Sequence, residues 1–449
     1  MATSQTAAKV HPTLVSRMHE ARARTDALFQ FLPPNSFYDR PIPERHRLIF
    51  YLGHLEAFDW NLLAEALGAE SRDTEFDKLF AFGIDPVGGG LPTDTPGDWP
   101  NIARVEKYSR HIREGLDKKL RTASAFDSTD GGFANSILLN VAIEHRLMHA
   151  ETIAYLLHNL PVERKTHQPA SPADPRPAPR QRRASIPAGT ATLGQPKNRG
   201  MFGWDNEFDV QQVFVPAFAI DIFPVTNGEF LRFIHAGGYQ HSIYWTTEGW
   251  EWKRQCRLEH PHFWLPRSSS PASYPDTQWE YRAMFGTIPL PPSWPVYVSH
   301  AEASAFARWS GKRLPTEAEW HRAAYATPHG TERTYPWGDA PAEAMRGNFH
   351  HQRWDASPVD AHPAGVSAFG VHDLVGNGWE WTSTLFAPLP GFEPFPFYHG
   401  YSANFFDGKH FVMKGGSART DACMLRRSFR NWFQPHYPYV YATFRCVEN

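Results

Sequence analysis

A stretch rich in proline and arginine divides this 449-residue chain into two parts of different composition. Residues 161–187 include the run Ser171-Pro172-Ala173-Asp174-Pro175-Arg176-Pro177 and have no apolar periodicity that could form a core element. A solvated tether is the simpler interpretation of this stretch, although its arginines could also bind an anion. We therefore predict a first domain over 1–160, a linker over 161–187 and a second domain over 188–449.

The first part of the chain has the apolar spacing of a helical bundle. Four segments near 12–31, 44–67, 99–122 and 133–159 show helical periodicity, and connections rich in Pro and Gly separate them. This pattern predicts a four-helix bundle. In such bundles, side chains on facing helices can build a metal site in the interior.

Two histidines, His145 and His149, lie four residues apart on the fourth predicted helix. Residues at this spacing share one helix face and can bind a single metal ion. His54, in the middle of the second predicted helix, is the candidate third ligand, and Glu151 could orient a ligand imidazole through a hydrogen bond. Spacing alone leaves a second interpretation open, because an inward histidine in a chain with 23 histidines can also be a hydrogen-bonded core residue.

Three neutral imidazoles on one side of an ion would leave its other positions open to water, dioxygen or substrate. That arrangement is typical of a catalytic site rather than of a closed structural site. Imidazole suits iron, zinc, copper and nickel, so ligand chemistry alone leaves the identity of the metal open.

Composition and charge exclude several classes of partner. The chain has 45 Lys plus Arg against 47 Asp plus Glu, so no strong field of either sign favours a nucleic acid or a membrane surface. No stretch of 18 apolar residues occurs, and Met1–His11 lacks the apolar core of a signal peptide. The three cysteines form no CxxC pair, which fits a reducing compartment. We therefore expect a cytoplasmic protein without nucleic-acid or membrane partners.

The second part of the chain is rich in Trp, Phe, Gly and Pro, with short apolar runs such as 213–220 and 411–413 between turn residues. One helix is predicted over Ser299–Ser310. A second is predicted to start at Thr316, where Glu319 three residues on completes a capping box. This half should form an α+β domain with much irregular structure.

Four segments of the second part resemble the formylglycine-generating-enzyme fold, which is C-type-lectin-like: 223–230, 311–320, 376–382 and 414–417. The first part, with its HxxxHxE helix, resembles a DinB bundle. Together they resemble the hercynine-dependent non-heme iron synthases that join sulfur or selenium to C2 of the imidazole of hercynine, in ergothioneine and selenoneine biosynthesis. The resemblance implies a DinB-like four-helix bundle joined to a formylglycine-generating-enzyme-like domain.

The resemblance also implies a set of site residues. His54, His145 and His149 would hold Fe(II), and dioxygen would be a co-substrate. Asn431 and Trp432 would line the hercynine pocket. The rings of Phe405 and Phe406 would form its walls, because aromatic faces attract a quaternary ammonium, although core packing explains the two rings equally well.

Departures from the family pattern bear on the chalcogen donor. Cys423 has no nearby cysteine, so the copper-dependent activity of formylglycine-generating enzymes is not expected. The related sulfoxide synthases place a proton-donating tyrosine in the segment that is 386–392 here or in the loop 83–86, and neither holds one. The position after Trp432 is Phe433, where enzymes that use γ-glutamylcysteine place an acid. These departures favour a selenosugar donor and a selenoneine synthase. The alternative is an ergothioneine-pathway sulfoxide synthase that uses cysteine or γ-glutamylcysteine.

The role of one further residue and two other classes of function stay open. Asp85, in the Gly-rich loop 80–90, could take part in donor binding or proton transfer, or could be an ordinary turn residue. A different class of function is a metal-binding, lectin-like binding module whose histidines hold structural zinc or no metal. A zinc-dependent thiol transferase built on the same bundle is a third possibility.

Overall fold

The computed structural model describes residues 13–68, 73–81, 91–122, 132–170, 174–197, 201–267 and 278–448. The chain forms two compact units. The first consists of residues 1–156 with 164–166, and the second of residues 157–163 with 167–449. Within the described ranges, no helix combines the length and the apolar character needed to cross a lipid bilayer.

The first unit is helical, as predicted. Four long helices match the four predicted segments, and a short helix not predicted from the sequence lies between the second and third of them. The helices are α1 (Leu14–Phe29), α2 (Leu48–Leu63), α3 (Thr74–Leu79), α4 (Ile102–Thr122) and α5 (Gly132–Asn159). The six residues of α3 are too few to give a periodic apolar pattern, but Asp73 caps it by accepting a hydrogen bond from the Phe76 amide.

Helix α2 is buried over most of its length. Twelve of its 16 residues are buried, including the polar residues His54, Glu56 and Asp59. A helix that is buried nearly all round must satisfy its polar side chains inside the protein. The contacts of these three side chains therefore determine whether the interior of the unit can bind a ligand or only pairs its own charges.

The second unit is a mixed α+β domain, whose described residues form four short α-helices. They are α6 (Asn227–His235), α7 (Thr247–Gln255), α8 (His300–Trp309) and α9 (Glu317–Tyr325). Capping boxes start three of them, with the pairs Thr226/Glu229, Ser299/Glu302 and Thr316/Glu319. The predicted helix over Ser299–Ser310 and the predicted start at Thr316 are confirmed.

Thirteen short strands among the described residues form four sheets in this unit. The strands are β1 (Arg183–Ile186), β2 (Gly189–Leu193), β3 (Gln211–Val215), β4 (Phe218–Asp221), β5 (Trp264–Pro266), β6 (Trp279–Ala283), β7 (Gly286–Pro289), β8 (Lys312–Arg313), β9 (Trp379–Leu385), β10 (Phe411–Lys414), β11 (Asn431–Phe433), β12 (Ala442–Thr443) and β13 (Val447–Glu448). The sheet orders are β1-β4-β13-β8, β11-β10-β9-β12, β2-β3 and β5-β6-β7.

Strand β1 lies inside the range predicted as a linker. Its four residues pair antiparallel with β4, and Ala184 and Ile186 are buried while the residues between point outward. An alternation of only two apolar residues is too short to stand out from the Pro- and Arg-rich composition around it.

A buried ion pair joins the two four-stranded sheets. Arg445 is fully buried and donates to both carboxylate oxygens of Glu380 on β9, at 2.6 and 2.7 Å. The same guanidinium donates to the carbonyls of Asp221 and Ile222, at 3.1 and 2.8 Å. Because Asp221 is the last residue of β4, one side chain ties an inner strand of one sheet to an inner strand of the other.

Candidate metal centre

Three histidines of the first unit come together in its interior. The potential ligand atoms of His54, His145 and His149 all lie within 4.8 Å of one another. The Nε2 atoms of His145 and His149 are 3.1 Å apart. All three side chains are buried, with at most 4% of their surface exposed. The structure therefore brings together the three residues predicted as metal ligands.

The helices account for this convergence. His145 and His149 are one turn apart on α5, so their side chains project from the same face. His54 lies near the middle of α2, and its ring centroid is 5.3 Å from that of His145 and 4.9 Å from that of His149. Two helices are thus sufficient to supply all three imidazoles.

All three imidazoles are held in the neutral form at pH 7. Burial lowers the pKa of His54 from its ordinary 6.5 to about 4. Burial and the neighbouring histidines hold the pKa of His145 and of His149 well below 6.5. A neutral imidazole keeps one nitrogen lone pair, which is the form that binds a metal ion.

The tautomer of His54 is set by its surroundings. Its Nδ1 atom lies 2.6 Å from the carbonyl oxygen of Phe80, which can only accept a hydrogen bond. Nδ1 must therefore carry the proton, and Nε2 is left as the nitrogen that can accept a metal.

The Nδ1 atoms of His145 and His149 are buried and have no hydrogen-bond partner among the described residues. Glu151 therefore makes no direct hydrogen bond to either of these Nδ1 atoms. Glu151 is two residues beyond His149 on α5, where helical geometry turns its side chain away from the face that the histidines share.

Helix α2 also provides an aromatic partner for each imidazole. Phe50 stacks on His54 with ring centroids 4.8 Å apart, and Phe58 stacks on His145 at 3.4 Å with an interplanar angle of 11°. Tyr51 packs on His149 at 5.7 Å. Sequence reasoning missed this arrangement, although the spacing of Phe50, His54 and Phe58 by four residues each places them along one helix face.

The donor set fits a metal ion. Three neutral imidazoles converge, and the tautomer of His54 leaves the lone pair on Nε2. No acidic side chain joins the group among the described residues. Such a set is neutral, and it would leave other coordination positions open to small molecules.

A buried charge network lies beside the histidines. Arg146 is fully buried and donates to Glu56 at 2.9 Å and to Asp59 at 2.5 Å. Arg113 also donates to Glu56, at 2.7 and 2.9 Å. Burial alone would favour neutral Glu56, but the two arginines lower the pKa of Glu56 to about 2. The carboxylates of Glu56 and Asp59 on α2 are therefore paired with arginines and do not join the histidine cluster.

The residues predicted to line a hercynine pocket lie in the second unit, and three of them share one aromatic cluster. The Trp432 ring is 5.6 Å from Phe405 and is stacked on Phe386 at 4.1 Å with an interplanar angle of 7°. Phe406 is 4.9 Å from Phe386, and Tyr401 is 5.5 Å from Trp432. Phe386 and Tyr401 are members of this cluster that sequence reasoning missed.

Asn431 begins β11 and pairs with Met413 of β10, as Trp432 pairs with Val412. Its Oδ1 atom accepts a hydrogen bond from the Trp432 amide at 2.9 Å. This bond fixes the orientation of the Asn431 side-chain amide. It therefore also fixes the direction in which the Nδ2 group can donate.

A buried ion pair supports the cluster from behind Phe386. The guanidinium of Arg430 lies 5.0 Å from the centroid of the Phe386 ring. Arg430 donates to both carboxylate oxygens of Glu317, at 3.0 and 3.1 Å, and both residues are buried. The stack Arg430, Phe386, Trp432 is therefore anchored to helix α9.

Asp85 and residues 82–90 of its predicted loop lie outside the described residues, whereas Phe80 and Ala81 at the start of that loop are described. None of the three cysteines forms a disulfide, and Cys423 is partly buried.

Comparison with known proteins gives a consistent assignment for both units. Residues 168–449 match the family described as sulfatase-modifying factor enzyme 1-like domain. Residues 17–153 match the DinB superfamily. The fold and the histidine cluster thus define a class of protein in which a DinB-type helical unit precedes a sulfatase-modifying-factor domain.

The particular family follows from curated relatives. The chain is 36% identical over 345 residues to the hercynine oxygenase of Mycolicibacterium smegmatis, which covers 75% of each protein. It is 40% identical over 246 residues to the hercynine oxygenase of Mycobacterium tuberculosis, over 54% of this chain and 55% of that one. The chain belongs to the sulfatase-modifying-factor family, in the group that includes the hercynine oxygenases.

Other relatives are more distant. Ergothioneine biosynthesis protein 1 of Neurospora crassa is 28% identical over 510 residues, which is 94% of this chain and 56% of that protein. The chain thus spans only about half the length of some of its curated relatives. The solved structure of PvdO from Pseudomonas aeruginosa is 20% identical with a TM-score of 0.39, over 59% of this chain and 93% of that one.

Proposed function

We propose that this protein is an iron- and oxygen-dependent enzyme that forms a bond between C2 of the hercynine imidazole and a chalcogen donor. The observation that carries the proposal is the convergence of three buried, neutral imidazoles in the first unit. Similarity to proteins named hercynine oxygenase supports hercynine as the substrate. We place Fe(II) on His54, His145 and His149.

The overall reaction balances with dioxygen as the oxidant. Hercynine loses the hydrogen on C2, and the donor loses the hydrogen on its sulfur or selenium. The new bond joins C2 to the chalcogen. One oxygen atom is added to the chalcogen, and the other leaves as water with the two hydrogens.

The bound ferrous ion would supply the activation of dioxygen. The protein's own contribution is to hold three neutral nitrogen donors and to exclude water from them. Phe50, Tyr51 and Phe58 cover the imidazole rings, so the donors keep their orientation without side-chain carboxylates.

We assign hercynine recognition to the aromatic cluster of the second unit. Trp432 and Phe405 would face the trimethylammonium group, which aromatic faces attract, and Phe406 would complete the wall beside Phe386. Asn431 would offer its Nδ2 group to the substrate carboxylate. These roles agree with the positions that the family resemblance implies.

We propose a selenosugar as the donor, which makes the protein a selenoneine synthase. The support is the residue after Trp432. Phe433 stacks on Tyr437 with ring centroids 5.1 Å apart, so this position offers an apolar ring where binding of a γ-glutamylcysteine ammonium group would need an acid. A sulfur donor, as in ergothioneine-pathway sulfoxide synthases, is the alternative.

The test is reconstitution of the purified protein with Fe(II) without oxygen, followed by exposure to oxygen with hercynine and one donor. Parallel reactions contain a selenosugar, cysteine or γ-glutamylcysteine, and the products are identified by mass. A selenium-containing product formed faster than any sulfoxide is expected. A sulfoxide formed faster would reject the selenosugar and support the sulfur alternative.

Metal analysis separates this proposal from a binding module. One equivalent of tightly held zinc, with no oxygen consumption after exchange for iron, would reject the enzyme proposal and support a structural metal.

Hercynine binding is tested separately with the variant Trp432→Leu, measured by calorimetry on the full-length protein. Loss of the stacked indole should weaken binding by about tenfold, since one cation–π contact is worth on the order of 1 kcal/mol or more. Trp309→Leu is the matched control, because Trp309 packs on Phe233 and Phe306 in the same unit. Equal effects of the two variants would remove Trp432 from the binding surface.

A further inference from the structure

We propose that Gly53 and Phe80 are positioning residues for His54: the absence of a side chain at Gly53 lets Phe80 pack flat on α2, and this contact brings the Phe80 carbonyl to Nδ1 of His54. The inference rests on the metal-binding function proposed above. It explains how the orientation and the tautomer of His54, one of the three donors, are fixed. It concerns two residues that are neither ligands nor lining of the aromatic cluster.

The acceptor of the hydrogen bond from His54 is a backbone carbonyl at the end of helix α3. Phe80 is the residue that follows α3, with φ −99° and ψ 4°, and its own amide donates to Phe76 within the last turn. Carbonyls at the end of a helix have no partner within that helix. The carbonyl of Phe80 instead accepts from His54 Nδ1 at 2.6 Å, which fixes the tautomer.

The contact with Gly53 is too close for any other residue. A Cβ atom at position 53 would lie 2.6 Å from three atoms of the Phe80 ring, where real contacts of this kind are at least 3.0 Å. Glycine inside a helix costs about 1 kcal/mol relative to alanine. The close approach of Phe80 gives a reason for glycine at the position next to a ligand.

The Phe80 ring has little room to move away. It is fully buried and lies 6.2 Å from the Trp99 ring and 6.0 Å from the Tyr108 ring, stacked on both. Helix α3, which ends just before Phe80, is held to α4 by Asp77, whose carboxylate accepts from the Tyr108 hydroxyl at 2.7 Å. A methyl group at position 53 would therefore displace α3 with the Phe80 carbonyl, rather than the ring alone.

Displacement of the carbonyl has a specific consequence for His54. Without its acceptor, the proton is free to occupy either ring nitrogen, and the ring is free to rotate between Phe50 and its other neighbours. Only the tautomer with an unprotonated Nε2 can bind the metal. Loss of such a supporting hydrogen bond typically weakens metal binding by about 10- to 100-fold.

The first experiment determines the His54 tautomer in the wild-type protein. Long-range ¹H–¹⁵N correlation spectra of the metal-free full-length protein report which nitrogen of His54 carries the proton, with His54→Gln used to assign the signal. We expect protonated Nδ1 and unprotonated Nε2. A proton on Nε2 of His54 would overturn the proposal.

The second experiment measures zinc affinity by competition with a chromophoric chelator. Gly53→Ala should weaken binding by about 10- to 100-fold and mix the two His54 tautomers. Gly115→Ala on α4 is the control, because a Cβ there would meet Trp60 at an ordinary 3.5 Å. Wild-type affinity and an unchanged His54 tautomer in Gly53→Ala would overturn the proposal.

A double variant separates positioning from a general loss of stability. Gly53→Ala with Phe80→Leu keeps the backbone carbonyl but replaces the ring by a smaller side chain, so part of the lost zinc affinity should return. Affinity no better than that of Gly53→Ala alone would contradict the proposed contact. If wild-type protein shows protonated Nδ1 but binds no metal, the proposed function fails while the hydrogen bond stands.

Discussion

The three histidines of the first unit differ in how their ring nitrogens are held. The carbonyl of Phe80 keeps the ring proton of His54 on Nδ1. The Nδ1 atoms of His145 and His149 are buried without a partner among the described residues. Buried polar atoms without partners cost free energy, about 1–3 kcal/mol each. These two rings therefore lack the supporting hydrogen bond that His54 has.

The variant His145→Ala should abolish metal binding and turnover, because two remaining imidazoles on different helices cannot hold the ion tightly. Metal content after reconstitution and dialysis is the measurement. His111→Ala, at an exposed position on α4, is the control and should keep both properties. Turnover with metal still bound in His145→Ala would remove this residue from the ligand set.

Asp373 lies in the segment that precedes β9 (Trp379–Leu385). Its buried carboxyl group should make the free energy of unfolding depend on pH. Burial raises the pKa of Asp373 from 3.8 to about 8, and Asn377 donates to its carboxylate at 2.8 Å. The folded protein therefore keeps a proton that the unfolded chain loses between pH 4 and 8, so this group lowers stability as the pH rises through that range. Asp373 has φ 53°, a conformation that asparagine also tolerates.

Asp373→Asn should thus gain thermal stability relative to the wild type as the pH rises from 5 to 8. The measurement is the difference in Tm between variant and wild type at pH 5, 6.5 and 8. Glu343→Gln, at an exposed position, should show a constant difference. A constant difference for Asp373→Asn as well would contradict the assignment.

At the scale of elements, α2 and α5 are joined by charge as well as by their histidines. Arg146 of α5 donates to Glu56 and Asp59 of α2, and all three side chains are almost fully buried. Removal of one partner from a buried ion pair leaves an uncompensated charge in a medium of low polarity, which is more costly than removal of all partners.

Arg146→Met should therefore destabilise the metal-free protein by about 3–5 kcal/mol, measured by urea unfolding followed by circular dichroism. Adding Glu56→Gln and Asp59→Asn to this variant should restore part of that stability. A triple variant less stable than Arg146→Met would show that the carboxylates stabilise the unit by some contact other than the arginine.

Sequence reasoning reached those parts of the site that have a periodic signature. The spacing of His145 and His149 and the position of His54 on an apolar stripe were enough to predict that the three would meet. The Phe80 carbonyl could not be predicted in this way, because every residue has a carbonyl and only the end of the unpredicted helix α3 exposes this one. The aromatic cluster was only partly predicted, since Phe386 and Tyr401 reach Trp432 from segments with no regular pattern.

At the scale of the whole molecule, different interactions stabilise the two compact units. The first contains the histidine cluster, and the second is built around sheets joined by Arg445 and Glu380. A ligand that binds only the folded state stabilises that state, by about 2.7 kcal/mol at 100 times its Kd. A metal on the cluster should therefore raise the free energy of unfolding of the unit that holds it.

Differential scanning calorimetry of the full-length protein should therefore show a transition whose Tm is raised by zinc and lowered by a chelator. His145→Ala should abolish this response. A wild-type Tm that zinc leaves unchanged would contradict metal binding at the cluster.

The aromatic partners on α2 have a further consequence, for protein engineering. One stretch of nine residues, Phe50–Phe58, carries His54 together with a ring for each of the three imidazoles. The other two imidazoles lie within five residues of α5. A designer who wished to transplant the centre would need to reproduce two short helical segments and one carbonyl acceptor, with glycine kept at position 53 of the graft.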